Sequence, residues 1–118
     1  MRHQKKQHKL GGRKRDARRL LLGNLATSLM IHEKIQTTQA KAKAVQPLVD
    51  DLINTAKRKE KRLAIRALNS VLHSELASRK IMEELIKRYA ERTSGYTRIT
   101  PIKFRAGDAA LIVQIELV

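Results

Sequence analysis

Several residue types are absent from this chain or rare in it, and each absence excludes a kind of chemistry. The 118 residues include no cysteine, which excludes disulfide bonds, thiolate metal sites and thiol catalysis. With no tryptophan, two tyrosines and one phenylalanine, the core must be largely aliphatic. No window of about 18 apolar residues is present to span a bilayer. The basic N-terminus is not followed by the apolar stretch of a secretory signal, so we expect a mature intracellular protein.

Acidic residues are also scarce. Eleven Asp and Glu accompany 26 Lys and Arg, which gives a formal net charge of +15 and a pI near 10.8. Nine of the cations lie in the first nineteen residues, where Asp16 is the single acid. The remaining 99 residues carry 17 cations and 10 acids, so they are basic as well. This distribution predicts a large anionic partner, with nucleic acid as the first candidate and an anionic membrane as the second.

Residues 1–15 are called the basic arm here. The arm has too little apolar surface to offset the entropy of ordering its backbone, so we expect an extended segment that a polyanion fixes in place. Its closely spaced cations suit contacts with successive phosphates, and its two histidines suit stacking or hydrogen bonding to RNA. A solvated, disordered tail is the alternative. The RNA-binding residues predicted in the arm and in the helix that follows are Arg2, His3, Lys5, Lys6, His8, Lys9, Arg13, Lys14, Arg15, Arg18 and Arg19.

Residues 16–118 are predicted to form a single α+β domain. Leucines at helical spacing predict a helix over 16–30, with Leu21, Leu22, Leu25 and Leu29 inward and Gly23, Asn24 and Thr27 opposite. The further patterns predict a strand at 33–37, helices at about 39–58, 64–71 and 78–91, and strands at 96–100 and 111–117. Pro47 is expected to kink or split the second of these helices. The order predicts a small mixed three-stranded sheet with helices covering one face.

The start of the second helix is a candidate phosphate site. Thr37 and Thr38 precede this helix, and Lys41 and Lys43 lie in its first turns. Hydroxyl groups, backbone amides and lysines at a helix N-terminus can together bind a phosphate. Helix capping by Thr38, with the lysines on a solvated face, is an equally good interpretation.

The predicted strand at 96–100 is a candidate base-binding surface. Tyr96 and Arg98 lie two residues apart, so in a strand they share one face of the sheet. With helices on the other face, this pair could stack on a base and bind a phosphate. The alternative is a tyrosine packed against the rim of the core.

No group of residues supports catalysis. The adjacent acids at 50–51 and 83–84 lie on predicted helices, where neighbouring side chains point about 100° apart and cannot act as an acid/base couple. His32 and Glu33 resemble the start of a zinc-protease motif, but Gln36 stands where the second histidine is needed. No nucleophile or phosphate-cradling glycine loop is visible. We therefore expect no enzyme, no cofactor, no metal site and no small-molecule substrate.

Short motifs along the whole chain resemble those of the bacterial large-subunit ribosomal protein L17 family. They match in order and with the right spacing at both ends. The matching motifs are Met1-Arg2-His3, Lys9-Leu10, Gly12-Arg13, Asn24-Leu25-Ala26-Thr27-Ser28-Leu29, His32-Glu33, Thr37-Thr38, Lys41-Ala42-Lys43, Arg88-Tyr89, Gly95-Tyr96-Thr97-Arg98-Ile99, Arg105, Gly107-Asp108 and Glu116-Leu117-Val118. Arg105 joins the predicted RNA-binding residues on this basis. The chain departs from the family at Gly23, where an arginine is usual.

The resemblance implies a structural protein that binds large-subunit ribosomal RNA near the rim of the peptide exit tunnel, beside neighbouring ribosomal proteins. It implies a cytoplasmic location in the ribosome, with an organellar ribosome as the alternative, and neither cofactor nor catalysis. A non-ribosomal, nucleoid-type nucleic-acid-binding protein is the second hypothesis, although no helix presents a clear row of base-reading residues. A membrane-surface binder is disfavoured because the helix at 16–30 lacks Trp or Phe anchors. A nuclease has the least support.

Overall fold

The computed structural model describes residues 14–118. The predicted α+β class and the predicted order of elements are confirmed. The elements are α1 (Arg15–His32), β1 (Lys34–Thr38), α2 (Gln39–Arg58), α3 (Lys61–Val71), α4, β2 (Thr97–Phe104) and β3 (Leu111–Leu117). The helix that we call α4 begins as Glu75–Lys80, continues through a π-helical segment at Ile81–Leu85 and ends as Ile86–Arg88.

The sheet is antiparallel throughout, so the prediction of a mixed sheet was wrong. Its strand order is β1-β3-β2, and the central strand β3 runs antiparallel to both neighbours. The outer strands run in the same direction as each other, but β3 separates them and they form no ladder. A parallel ladder would need β1 and β2 to be adjacent.

One face of the sheet is buried under the helices. Val113, Ile115 and Leu117 of β3 are buried, and they alternate with the half-buried Ile112, Gln114 and Glu116 on the opposite face. The buried face joins a single core with side chains of the helices. That core is mainly aliphatic, as predicted, with two tyrosines added; its largest members include Leu29, Met30, Val45, Ile53, Ile81, Leu85, Tyr89 and Tyr96. Coverage of one face by helices is therefore confirmed.

The buried face of α1 is rotated from the predicted one. Gly23 and Thr27, which were predicted to lie opposite the core, are buried, whereas Leu22 and Leu25 are half-buried. The cause is the segment between α3 and α4, which packs against α1 at Gly23. A Cβ atom on Gly23 would lie 2.8 Å from the Val71 carbonyl oxygen and 2.8 Å from the His73 Nε2 atom.

Thr27 closes the contact between α1 and this segment. Its hydroxyl donates to the Gly23 carbonyl oxygen at 2.7 Å and accepts from the His73 backbone N–H at 3.0 Å. The His73 ring also hydrogen-bonds the Asn24 side chain. The leucine spacing alone predicts the wrong orientation of the helix, because it carries no signal for a contact that needs a residue without a side chain.

Pro47 does not split α2, so of the two effects predicted for it the split is wrong. The helix runs unbroken over Gln39–Arg58 with the proline inside it. Proline removes the N–H that would bond the carbonyl group of Lys43, four residues earlier. Both residues are exposed, so water can solvate that carbonyl group. The buried residues of α2 lie on the other side of the helix and keep it packed.

Candidate nucleic-acid interface

The start of α1 carries four of the predicted RNA-binding residues. Arg15, Arg18 and Arg19 are three and four positions apart, so they share one face of the first turns. Arg18 is half-buried, whereas Lys14, Arg15 and Arg19 are exposed and form no ion pair within residues 14–118. Like charges at this spacing repel one another. The cluster is therefore suited to a bound polyanion.

The rest of α1 gives this cluster a fixed direction. Ala26, Leu29 and Met30 of the same helix are fully buried in the core. Residues 1–13 precede the cluster and lie outside the described residues, so seven predicted contacts remain predictions. These are Arg2, His3, Lys5, Lys6, His8, Lys9 and Arg13.

The four residues predicted to bind phosphate at the start of α2 do not converge. Thr37 pairs with Val113 on the buried face of the sheet, and Thr38 pairs with Ile112 on the other face. Thr38 takes the predicted N-cap position, but its hydroxyl makes no capping hydrogen bond. Lys41 and Lys43 are two positions apart and so point about 200° apart around the helix. Lys43 is exposed and Lys41 is half-buried.

Tyr96 cannot stack on a base, so the prediction for this residue was wrong. Its side chain is fully buried, one residue before β2 begins. The ring lies 5.1 Å from that of Tyr89, and its hydroxyl donates to the Asn54 Oδ1 atom at 2.5 Å. Apolar area and a satisfied hydroxyl both favour the interior for such a side chain. Arg98, its predicted partner, is exposed on β2.

Lys57 organises a polar cluster around Tyr96 that the sequence did not reveal. Its ammonium group donates to the carbonyl oxygen of Tyr89 at 2.9 Å, to that of Arg92 and to the Tyr96 hydroxyl at 3.3 Å. These groups come from the end of α4 and from the segment that leads into β2. Lys57 therefore holds this segment against α2 and is not available as a surface cation. Sequence spacing carries no signal for partners more than thirty positions away.

The uncovered face of the sheet is polar. Glu116 on β3 lies between Lys34 on β1 and Arg98 on β2 in the strand register. Its Oε1 atom is 3.9 Å from the Nη1 atom of the largely exposed Arg98, which is a long contact. Such pairs contribute little to stability. Arg98 thus remains available to a stronger anionic partner.

Glu33 joins the end of α1 to α4. Its Oε1 atom lies 2.6 Å from the Arg88 Nη2 atom and 3.4 Å from the Lys80 Nζ atom. The hydrogen bond from Arg88 is the main cause that lowers the pKa of Glu33 below its usual 4.5. The same bond raises the pKa of Arg88. Both cations are therefore used by the fold.

Arg105 lies in the connection between β2 and β3 and is paired with Asp108. Its Nε atom donates to Oδ1 at 3.0 Å and its Nη2 atom to Oδ2 at 2.6 Å. The pairing, with a hydrogen bond from the Ala110 amide, lowers the pKa of Asp108 to about 2. The two-point contact fixes the plane of the guanidinium group and leaves Nη1 outside the pair. Asp108 Oδ1 accepts the hydrogen bond from the Ala110 amide at 3.2 Å, as an aspartate in a turn often does.

Within residues 14–118, no three His, Cys, Asp or Glu side chains are grouped so that they could hold a metal ion. No helix in that range combines the length and apolar character needed to cross a membrane.

Comparison with known proteins gives a consistent result. The family model described as ribosomal protein L17 matches residues 21–118. The large ribosomal subunit protein bL17 of Exiguobacterium sp. is 45% identical over 112 residues, which cover 91% of this chain and 95% of that protein. The protein of the same name from Rubrobacter xylanophilus is 45% identical over 100% of this chain and 96% of its own length. That of Neorickettsia sennetsu is 38% identical, with both chains covered completely.

The fold, the charged start of α1 and these matches define a small basic α+β protein of the ribonucleoprotein class. The chain belongs to the ribosomal protein L17 family. The predicted family is thus confirmed. Proteins of this family are structural components rather than enzymes, which agrees with the expectation that the chain has no catalytic activity.

Proposed function

We propose that this protein is a structural constituent of the large ribosomal subunit that binds large-subunit ribosomal RNA. It supports the assembly and stability of that RNA near the rim of the peptide exit tunnel, in contact with neighbouring ribosomal proteins. Its place of action is the cytoplasmic ribosome. Family membership supports the subunit, and the observation that carries RNA binding is the group of exposed cations at the start of α1, namely Lys14, Arg15 and Arg19.

The mechanism that we propose has two parts. The basic arm neutralises phosphates and releases counterions, which supplies most of the affinity. The domain of residues 16–118 fixes the position at which the arm joins it, because α1 is anchored in the core through Leu29 and Met30. The proposed boundary at residue 15 coincides with the first residue of α1. Arginines suit this junction, since a planar guanidinium group can bind a phosphate through two hydrogen bonds.

The remaining predicted contacts differ in how well the surface supports them. Lys43, Arg98 and Arg105 are exposed and are proposed as secondary contacts. Thr37, Thr38 and Lys41 are half-buried, so they fit a supporting role in which only part of each side chain reaches the RNA. Tyr96 is not among the proposed RNA contacts, because its side chain is buried.

The test compares two full-length variants that lose the same charge. One replaces Lys5, Lys6, Lys9 and Arg13 of the arm with Gln. The control replaces four exposed cations in or beside the turn between α2 and α3, namely Arg58, Lys59, Lys61 and Arg62, with Gln. Affinity for deproteinised bacterial large-subunit ribosomal RNA is measured over a range of salt concentrations.

We expect the arm variant to bind about 100-fold or more weakly at 0.1 M salt, with a log–log salt slope reduced by up to about 3. The control should keep most of its affinity. Equal losses in both variants would mean that total charge, and not the arm, governs binding. Equal affinity of the wild type for random duplex DNA would favour the nucleoid-type alternative.

A further inference from the structure

The end of the β2–β3 hairpin presents an aromatic side chain to solvent. Phe104 is the only phenylalanine of the chain, and it is 70% exposed at the last position of β2. Every residue from 100 to 109 is exposed, so this part of the hairpin extends past the helices that cover the rest of the sheet. Phe104 is the most exposed of the large apolar side chains in residues 14–118. Covering its roughly 200 Å² of aromatic surface would favour binding of a partner.

A bulge in β2 determines where Phe104 points. Pro101 pairs with Val113, but Lys103 pairs with Ile112, so Ile102 is an extra residue without a partner across the ladder. The extra residue reverses the alternation of side chains along the rest of the strand. Phe104 therefore pairs with Leu111 and lies on the opposite face from Lys103.

The neighbours of Phe104 give this surface a positive character. Lys103 precedes it and Arg105 follows it, and both are exposed. Asp108, the one acid between residues 99 and 115, is occupied by its two hydrogen bonds from Arg105. The same pair holds the guanidinium group still while Nη1 points outside it. Lys103 leaves the strand on the other face from Phe104, but β2 is an edge strand of the sheet. Its long side chain can therefore reach round that edge to a phosphate beside a base stacked on Phe104.

We propose that Phe104 stacks on an unpaired base of large-subunit ribosomal RNA while Lys103 and Arg105 contact the adjacent phosphates. This inference rests on the proposed function and adds a second RNA-binding element, separate from the arm. An apolar contact with a neighbouring protein fits less well, because it would remove Lys103 from water without supplying an anion. The fixed hairpin also limits the conformational freedom lost on stacking.

The chain contains no tryptophan, so a single introduced tryptophan reports on one position without interference. Phe104→Trp places it at the hairpin. Leu76→Trp is the matched control, because Leu76 is also an exposed apolar residue (64%) but is preceded by Glu75 and not flanked by cations. Each full-length variant is titrated with deproteinised bacterial large-subunit ribosomal RNA, and the tryptophan emission and its quenching by acrylamide are followed.

Stacking should quench the emission at position 104 and reduce its access to acrylamide, with little change at position 76. In parallel, Phe104→Ala should weaken binding by about 5- to 100-fold, and Phe104→Tyr should retain the wild-type affinity. Unchanged circular dichroism would show that the alanine variant is folded.

Normal RNA binding by the wild type with no change in tryptophan 104 emission and no loss in Phe104→Ala would overturn the stacking proposal and leave the proposed function intact. Shielding of position 104 only in assembled large subunits, and not by free RNA, would assign the hairpin to a protein partner and also overturn it. Absence of RNA binding by the wild type would overturn both proposals.

Discussion

Two groups of cations in this molecule have different surroundings. At the start of α1, Lys14, Arg15 and Arg19 are exposed and have no ion-pair partner in the part of the chain that the structure describes. Around α4, in contrast, Lys57 binds two carbonyl groups, and Lys80 and Arg88 share one carboxylate. The net charge of the chain is therefore a poor guide to its binding surface, because some cations are paired with carbonyl or carboxylate groups of the folded domain.

Replacing Lys57 with Met should give the largest loss of stability among the cations. The carbonyl groups of Tyr89 and Arg92 would lose a charged donor, and the Tyr96 hydroxyl would lose a neighbour. We expect the free energy of unfolding to fall by about 1.5–3 kcal/mol. Denaturant unfolding measures this change, with Lys59→Met as the control, because Lys59 is exposed in the adjoining turn.

The same variant tests whether the paired cations around α4 differ in function from the exposed cations at the start of α1. Folded Lys57→Met should keep the salt slope of RNA binding, since this cation is not part of the proposed interface. The arm variant described above should show the reverse, with weaker binding and unchanged stability. A loss of RNA affinity in Lys57→Met comparable to that of the arm variant, measured where both are fully folded, would erase the distinction.

Gly23→Ala tests whether the direction of α1 depends on close packing. Alanine should stabilise a helix by about 1 kcal/mol relative to glycine. Here its methyl group would lie 2.8 Å from the Val71 carbonyl oxygen, so the segment between α3 and α4 must move away. Overpacking of this kind costs about 1–3 kcal/mol, so we expect a net loss of about 1 kcal/mol.

The control for this variant is Gly107→Ala, where an added methyl group meets nothing within 4 Å. Both variants are compared by thermal and denaturant unfolding. Gly107→Ala should leave stability almost unchanged. A more stable Gly23→Ala protein would mean that helix propensity outweighs the contact with Val71 and His73.

Local patterns predicted the elements well, whereas contacts between distant residues escaped them. The alternation in β3 and the positions of the helices depend on neighbours in sequence, and these features were predicted near their observed positions, although the buried face of α1 was not. The burial of Tyr96 depends on Asn54 and Lys57, about forty residues away, and an isolated strand pattern cannot distinguish the two faces of a sheet. The antiparallel pairing likewise depends on which strands become neighbours.

In the candidate interface, too, features set by neighbouring residues were predicted and features set by distant contacts were not. Continuous runs of charge identified the start of α1, because a helix needs only its own sequence to align Arg15, Arg18 and Arg19. Phe104 was not predicted as a contact, although a lone aromatic residue between two cations is visible in the sequence. Its exposure depends on the bulge at Ile102 and on how far the helices cover the sheet. Neither is encoded in a local pattern.

Glu33→Gln should have the smallest effect, and its effect should depend on pH. Arg88 and Lys80 lower the pKa of Glu33 in the folded protein below 4.5, so ionised Glu33 favours folding. That contribution is complete above the unfolded pKa and is lost as the pH falls through the folded pKa. Because Arg88 and Glu33 are more than a third exposed, we expect less than about 1 kcal/mol at neutral pH.

The measurement is denaturant unfolding of wild type and Glu33→Gln between pH 7 and pH 3. The wild type should be more stable at pH 7, and the difference should shrink below about pH 5, because the protonated carboxyl group resembles the amide. Glu83→Gln, which breaks the exposed 4.0 Å contact with Arg79, serves as the control and should leave a smaller difference. A constant difference in stability between wild type and Glu33→Gln across this range would mean that the charge of Glu33 does not contribute to stability. In that case Lys80 and Arg88 would not be neutralised by Glu33 and would belong with the exposed cations of α1.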